Sequence, residues 1–220
     1  MTGRPFLHRS HAGVLLARAL DRYRGDPDVT VLGLARGGVP VASAVAAALG
    51  SPLDVYLVRK LGLPENPEVA LGALAEPDVK ILNSAVISDL GVPAAVVELV
   101  TAREHEALLR RQQLYRAGRP PVALGGRTVI VVDDGLATGA SMEAAIRGIR
   151  TQNPARVIVA VPVASRFALL RIRPLADEVV CLEAPMYFEY VGQWYADFGE
   201  TTDAEVIALL AAAQAGSVSS

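Results

Sequence analysis

Hydrophobic and polar positions along the chain fall into short, continuous apolar runs separated by stretches of helical spacing. The runs at 29–34, 53–58, 129–132, 156–163 and 178–182 are apolar on both faces, the pattern of strands covered by helices on each side. Between them, 10–23 places Val14, Leu15, Ala17, Ala19 and Leu20 near helical spacing, with Ser10 as the expected cap. The segment 40–49 is an alanine-rich helix opened by Pro40, where helices tolerate proline. A long charge-rich helix is predicted over 93–116, acids early and arginines late as its macrodipole favours, and further helices over 140–150 and 202–213. Residues 72–76 and 79–82 read as short strands, and 61–68, with Gly62, Pro64, Asn66 and Pro67, as a mobile loop. Alternating strands and helices predict an α/β fold, a mostly parallel sheet with helices on both faces. The length suits one domain over 1–220, with an inserted helical segment at about 83–118.

Composition narrows the partners. Apolar residues make up 52%, largely Ala and Val, yet no run approaches the roughly 20 residues of a membrane helix. A net charge of −2 with interspersed signs offers no basic face, so no nucleic acid and no membrane partner is expected, and small molecules are. Residues 1–10 lack the apolar core of a signal peptide, and the single Cys181 excludes an internal disulfide, which together predict a cytoplasmic location. Cys181, inside an apolar run, reads as a buried structural thiol. His8, His11 and His105 have no ligand spacing and read as surface residues.

The chemistry concentrates after the strand at 129–132. Two acids, Asp133 and Asp134, are followed by Gly135, Leu136, Ala137, Thr138, Gly139, Ala140 and Ser141, and then by a helix. N–H groups converge at such a helix start and bind phosphate, while adjacent carboxylates accept hydrogen bonds from vicinal sugar hydroxyls. Gly139 lets the backbone come close to the phosphate. The lysine of GxxxxGK[ST] is absent and GxGxxG does not fit, which argues against a nucleotide-hydrolysing or dinucleotide-binding loop.

VIVVDDGLATGAS resembles the phosphoribosyl diphosphate (PRPP) signature of type I phosphoribosyltransferases, with Gly135, Ala140 and Ser141 standing where the family usually has an aliphatic residue, Gly and Thr. The resemblance implies that family's fold, with a small C-terminal hood at about 183–201. It implies that Asp133 and Asp134 contact the ribose hydroxyls and that Ala137, Thr138, Gly139, Ala140 and Ser141 cradle the 5-phosphate. Ala35, Arg36, Gly37 and Gly38 are similar to the family's diphosphate loop, where the peptide before the basic residue is often cis. Arg59 and Lys60 are similar to the Arg-Lys pair ahead of the flexible catalytic loop in adenine-type members, so both charges are expected to face the leaving diphosphate. Lys60 is one of two lysines in the chain, the other being Lys80. Tyr115-Arg116, Asp134 to Gly139 and Gly192 to Phe198 further resemble a bacterial subgroup whose acceptors are unassigned.

The reaction so implied displaces diphosphate from C1 of PRPP by a nitrogen nucleophile, most simply a nucleobase. Mg²⁺ is held mainly through PRPP, without direct protein ligands, and residues 61–71 close over the site. Asp133, Asp134, Arg36 and Lys60 are the expected catalytic set, with Glu65 and Glu68 read as solvated. Phe188, Tyr190, Trp194, Tyr195 and Asp197 form the expected acceptor hood, aromatic faces stacking on a planar base or serving as core. The segment 188–192 faintly resembles the hood of 6-oxopurine enzymes, although the lysine expected after 156–163 is replaced by Arg166. A homodimer is expected. The alternative keeps PRPP binding without turnover, as a regulator or an accessory module.

Overall fold

The computed structural model describes residues 5–217. Five strands, β1 (Val29–Leu34), β2 (Leu53–Tyr56), β6 (Thr128–Val132), β7 (Arg156–Val163) and β8 (Glu178–Glu183), form a parallel sheet in the order β2-β1-β6-β7-β8. Three more, β3 (Val58–Leu63), β4 (Asn66–Ala75) and β5 (Val79–Leu82), form a separate antiparallel sheet. The helices are α1 (Arg9–Ala19), α2 (Gly38–Leu49), α3 (Ser84–Asp89), α4 (Ala94–Arg116), α5 (Ala140–Arg150), α6 (Arg166–Ile172) and α7 (Asp203–Ser217).

Side chains alternate across each strand, and the two faces of the parallel sheet bury two separate cores. Val31, Ile130, Val132, Ile158 and Ala160 pack with Leu16 and Leu20 of α1, Val45 of α2 and Val206 of α7. Leu32, Val129, Val131, Val157 and Val159 pack with Met142, Ile146 and Ile149 of α5 and with Ala168 of α6. Apolarity on both strand faces thus has the cause inferred for it, a layer of helices on each side. Cys181 is half-buried in β8; its thiol approaches the Glu183 carbonyl at 3.1 Å, and burial pushes it up to about 11, which suits a structural thiol.

Several expectations are corrected. Residues 61–68 are not a loop: they span the turn of the β3–β4 hairpin, whose glycine and prolines mark a register irregularity between Leu61 and Leu63 and an exposed turn. Leu61 and Leu71 are fully buried beneath Val100 and Leu108 of α4, so only the tip around Pro64 and Glu65 stands clear of the core; the Glu68 side chain lies outside the described residues. The long helix therefore covers the antiparallel sheet. Its first turn holds no acid, and its charges pair sideways instead, Glu104 with Arg59 and Arg103, and Glu106 with Arg110. The cap of α1 is not Ser10 but His8, whose imidazole accepts from the His11 N–H at 3.2 Å. His105 meets Asp78 at 2.9 Å.

Arg116, at the end of α4, is 5% exposed and anchors the two sheets to each other. Its guanidinium bonds Glu76 at 2.8 and 2.9 Å, Asp54 at 3.2 Å and the Val55 carbonyl at 2.7 Å. Asp54 lies in β2 and Glu76 follows β4, so one planar cation with five donors ties three elements together.

Candidate active site

In the parallel sheet, Gly33 of β1 lies opposite Val132 of β6, so the turns after these neighbouring strands leave side by side at their carboxyl ends, where open α/β sheets bind ligands. One turn carries Ala35, Arg36, Gly37 and Gly38, and the other Asp133 and Asp134. The contact between them is close. A side chain at Gly37 would overlap the Asp134 carboxylate, and a Cβ at Gly38 would lie 2.6 Å from the Val132 carbonyl oxygen and 2.9 Å from Asp133 Cα. The Ala35–Arg36 peptide is cis, as the resemblance implied.

The β6–α5 loop is pinned along its far side by β7. Leu136 N–H donates to the Val163 carbonyl at 3.0 Å, Ser165 N–H donates to the Leu136 carbonyl at 2.9 Å, and the Ser165 hydroxyl donates to the Ala137 carbonyl at 2.6 Å. Gly139 caps α5 with φ +74°, a left-handed conformation that glycine adopts without penalty. Its backbone turn leaves Ala137, Thr138 and Ser141 exposed at the helix start. The first-turn N–H groups of a helix lack intrahelical partners, and the helix dipole adds partial positive charge there. Beside this loop a cleft of about 410 Å³ opens between α5 and the β4–β5 pair, bordered by Ala140, Gly72, Ile81 and the ion-paired Glu143, Arg147 and Arg171.

Asp133 accepts the Asp134 N–H at 2.9 Å. Burial pushes Asp133 well above the usual carboxylate range, and the charge of Asp134 adds to the rise. Burial also raises Asp134, opposed by Arg9, whose Nε lies 2.8 Å from Asp134 Oδ2. The Asp134 carbonyl accepts the Tyr195 hydroxyl at 2.6 Å.

Among the sequence-predicted residues, Arg36 reaches the site from the diphosphate-like turn and pairs with Glu200, with Asp203 at 3.8 Å. Arg59 and Lys60 do not point the same way. Being consecutive in a strand, they project to opposite faces of β3. Arg59 turns to Glu104 at 2.5 and 2.9 Å, and Lys60 is exposed. The hood divides likewise. Tyr195 is 1% exposed and packs between Phe6 and Phe198, with ring centroids 5.3 and 5.0 Å away, so it is core rather than a stacking platform. Phe188 and Trp194 are half-buried against the same cluster, while Tyr190 and Asp197 are exposed. Asp197 accepts the Gly199 N–H at 3.2 Å.

Phe6 and Arg9 were missed by sequence reasoning. Phe6 N–H donates to the Trp194 carbonyl at 3.2 Å, and the Ala196 and Asp197 N–H groups donate to the Phe6 and Leu7 carbonyls at 2.8 Å, which clamps the amino-terminal segment to the hood. The nearest signal was an aromatic residue and an arginine just ahead of a helix, a pattern common on protein surfaces.

A family model described as "Phosphoribosyl transferase domain" matches residues 10–193. Two Mycobacterium tuberculosis proteins, each provisionally named a phosphoribosyl transferase, are 44% identical over 205 residues; the match covers 93% of this chain and 46% of theirs, so the chain spans about half the length of these relatives. The crystal structure of TT1426 from Thermus thermophilus superposes with a TM-score of 0.80 at 49% identity, covering 93% of this chain and 97% of that one. With the signature loop at the end of β6, the adjoining turn after β1 and these matches across most of its length, the chain belongs to the phosphoribosyl transferase family.

Proposed function

We propose that the protein transfers the 5-phosphoribosyl group of PRPP to a nitrogen acceptor, a nucleobase, and releases diphosphate. The observation that carries this reading is the contact of Gly37 and Gly38 with Asp134 and Asp133, two residues without side chains packed on two part-buried carboxylates. In this reading the backbone of the β1–α2 turn lies against a pair of sugar-hydroxyl acceptors, with the helix start of α5 beyond them.

In this reading the loop backbone at Ala137, Thr138, Gly139, Ala140 and Ser141 takes the 5-phosphate, Asp133 and Asp134 take the ribose hydroxyls, and Arg36 with the backbone of Gly37 and Gly38 takes the diphosphate. Lys60 adds a second cation, and Arg59 fastens the hairpin to α4. Catalysis is then mainly positioning and electrostatic stabilisation of an oxocarbenium-like sugar, whose positive charge the two carboxylates favour. Glu200 and Asp203 hold Arg36 until diphosphate displaces them. Asp133 and Asp134, through the ribose hydroxyls they take, would help hold Mg²⁺ that enters with PRPP, and the ion would supply positive charge to neutralise the leaving diphosphate. The exposed Tyr190 and the half-buried Phe188 and Trp194 border the acceptor side. The protein works as a homodimer in the cytoplasm.

Calorimetric titration with PRPP and Mg²⁺, alone and with a panel of purine and pyrimidine bases while diphosphate release is followed, tests this. Binding with release for one base supports transfer and names the acceptor. A second reading, PRPP binding without turnover, is favoured by the turning of Arg59 toward Glu104, and binding without release for any base would select it. Absence of PRPP binding would overturn both.

A further inference from the structure

We propose that Arg9, the first residue of α1, is a positioning residue for the ribose, holding Asp134 in the orientation that receives a sugar hydroxyl and tying that carboxylate to the hood. The inference rests on the assignment of Asp133 and Asp134 to the ribose.

The guanidinium makes three directed contacts, the one to Asp134 spanning 125 residues of sequence. Its Nε donates to Asp134 Oδ2 at 2.8 Å, its Nη1 donates to the Gly199 carbonyl at 2.6 Å, and its plane lies 3.8 Å from the centre of the Phe198 ring. Both side chains of the ion pair are well covered, Arg9 13% and Asp134 14% exposed, so the contact is protected from solvent screening. Occupation of Oδ2 leaves Oδ1 to accept from substrate. The second holder of Asp134 is Tyr195, through the backbone carbonyl, and Tyr195 packs on the same Phe198 ring. Asp134 is therefore fixed at carboxylate and carbonyl by two residues that share one aromatic support, and Phe6 joins the segment carrying Arg9 to Tyr195 in a parallel bridge.

The charges around the pair single out Arg9. Asp133 contributes a second negative charge from the same loop, Gly37 and Gly38 present only backbone from the β1–α2 turn, and Tyr195 offers a neutral phenol from the hood. Arg36 pairs with Glu200 and Asp203 ahead of and within α7. Arg9 also borders a cleft of about 200 Å³ with Asp197, Gly199 and Glu200, which places it between the ribose site and the acceptor side. A planar, permanently charged fork that can stack and donate in two directions meets these demands, and an ammonium meets them only in part.

PRPP affinity in the presence of Mg²⁺ is measured for the unaltered protein, Arg9→Gln, Asp134→Asn and the double variant, with inorganic diphosphate as a probe that lacks the sugar. Arg9→Gln is expected to weaken PRPP about tenfold or more while leaving diphosphate affinity unchanged, Arg9→Lys to restore part of the loss, and the double variant to bind no worse than Asp134→Asn. Full PRPP affinity in Arg9→Gln, or losses that multiply in the double variant, would overturn the inference while leaving the ribose assignment standing. Unchanged affinity in Asp134→Asn would instead remove the ribose assignment itself. Should Arg9→Gln fail to fold, as circular dichroism would show, Phe198→Leu decides the point: it keeps every charge and removes the stacking support, and it is expected to weaken PRPP but not diphosphate.

Discussion

Tyr115, in the last turn of α4, donates its hydroxyl to Asp203 Oδ1 at 2.5 Å, and the same carboxylate lies 3.8 Å from Arg36 on the turn after β1. The long helix is thereby connected to the turn after β1 through the start of α7. Burial and the bond to Asp203 push the phenol up to about 12, so it remains a donor across the physiological range. Tyr115→Phe removes the donor and leaves the ring in its 2% exposed pocket. The expected outcome is a loss of about 1–3 kcal/mol in stability by denaturant titration, together with a changed KM for PRPP as Asp203, which faces Arg36, loses its own anchor.

Arg116 is expected to behave differently from its neighbour. Arg116→Met would leave Asp54 and Glu76 buried without their cation, and breaking a buried pair from one side costs about 3–5 kcal/mol. Urea unfolding should show this loss in full. Because the triad joins α4, β2 and the end of β4, and touches none of the proposed PRPP contacts, the variant that does fold should keep its PRPP affinity.

Gly37→Ala tests the closeness of the two turns. Gly37 has φ −60° and ψ −31°, which alanine adopts freely, so the backbone tolerates the change. The added methyl would displace the Asp134 carboxylate. Near-native thermal stability with PRPP binding weakened about tenfold or more is expected, and calorimetry alongside a melting curve separates the two effects. Equal losses in both would show that the contact serves packing alone.

Asp133 contributes a pH response of known sign. The folded-state pKa of Asp133 lies above its unfolded value, so the native state holds the proton more tightly and gains stability as pH falls toward and through that raised pKa. The stability so gained is fully present below the ordinary carboxylate range and is lost as pH rises through the folded value. PRPP binding runs the other way, since a protonated carboxyl accepts sugar hydroxyls poorly. On mild acidification the ligand-free protein should gain Tm relative to Asp133→Asn, while its PRPP affinity falls.

The strands β1, β6 and β7 could be read from the sequence because their apolarity on both faces has one structural meaning, burial between two helical layers. The loop from Asp133 to Ser141 was legible for a related reason: acids, a hydroxyl and glycine within nine consecutive residues keep the chemistry local. The hairpin at β3–β4 was not legible. Gly62, Pro64 and Pro67 are loop residues by local preference, and burial of Leu61 and Leu71 under α4 outweighs that preference. The roles of Tyr195, Phe6 and Arg9 were out of reach for a different reason, since an arginine in the first turn of a helix reads as a solvated charge until the chain brings it to a carboxylate 125 residues away. Local sequence determined the parallel sheet, the acid pair and the glycine-containing loop that follows it, because propensity and spacing act over a few residues. Tertiary structure alone decided which cations reach those acids and which aromatic rings support them, because ion pairing and ring packing depend on distance in space.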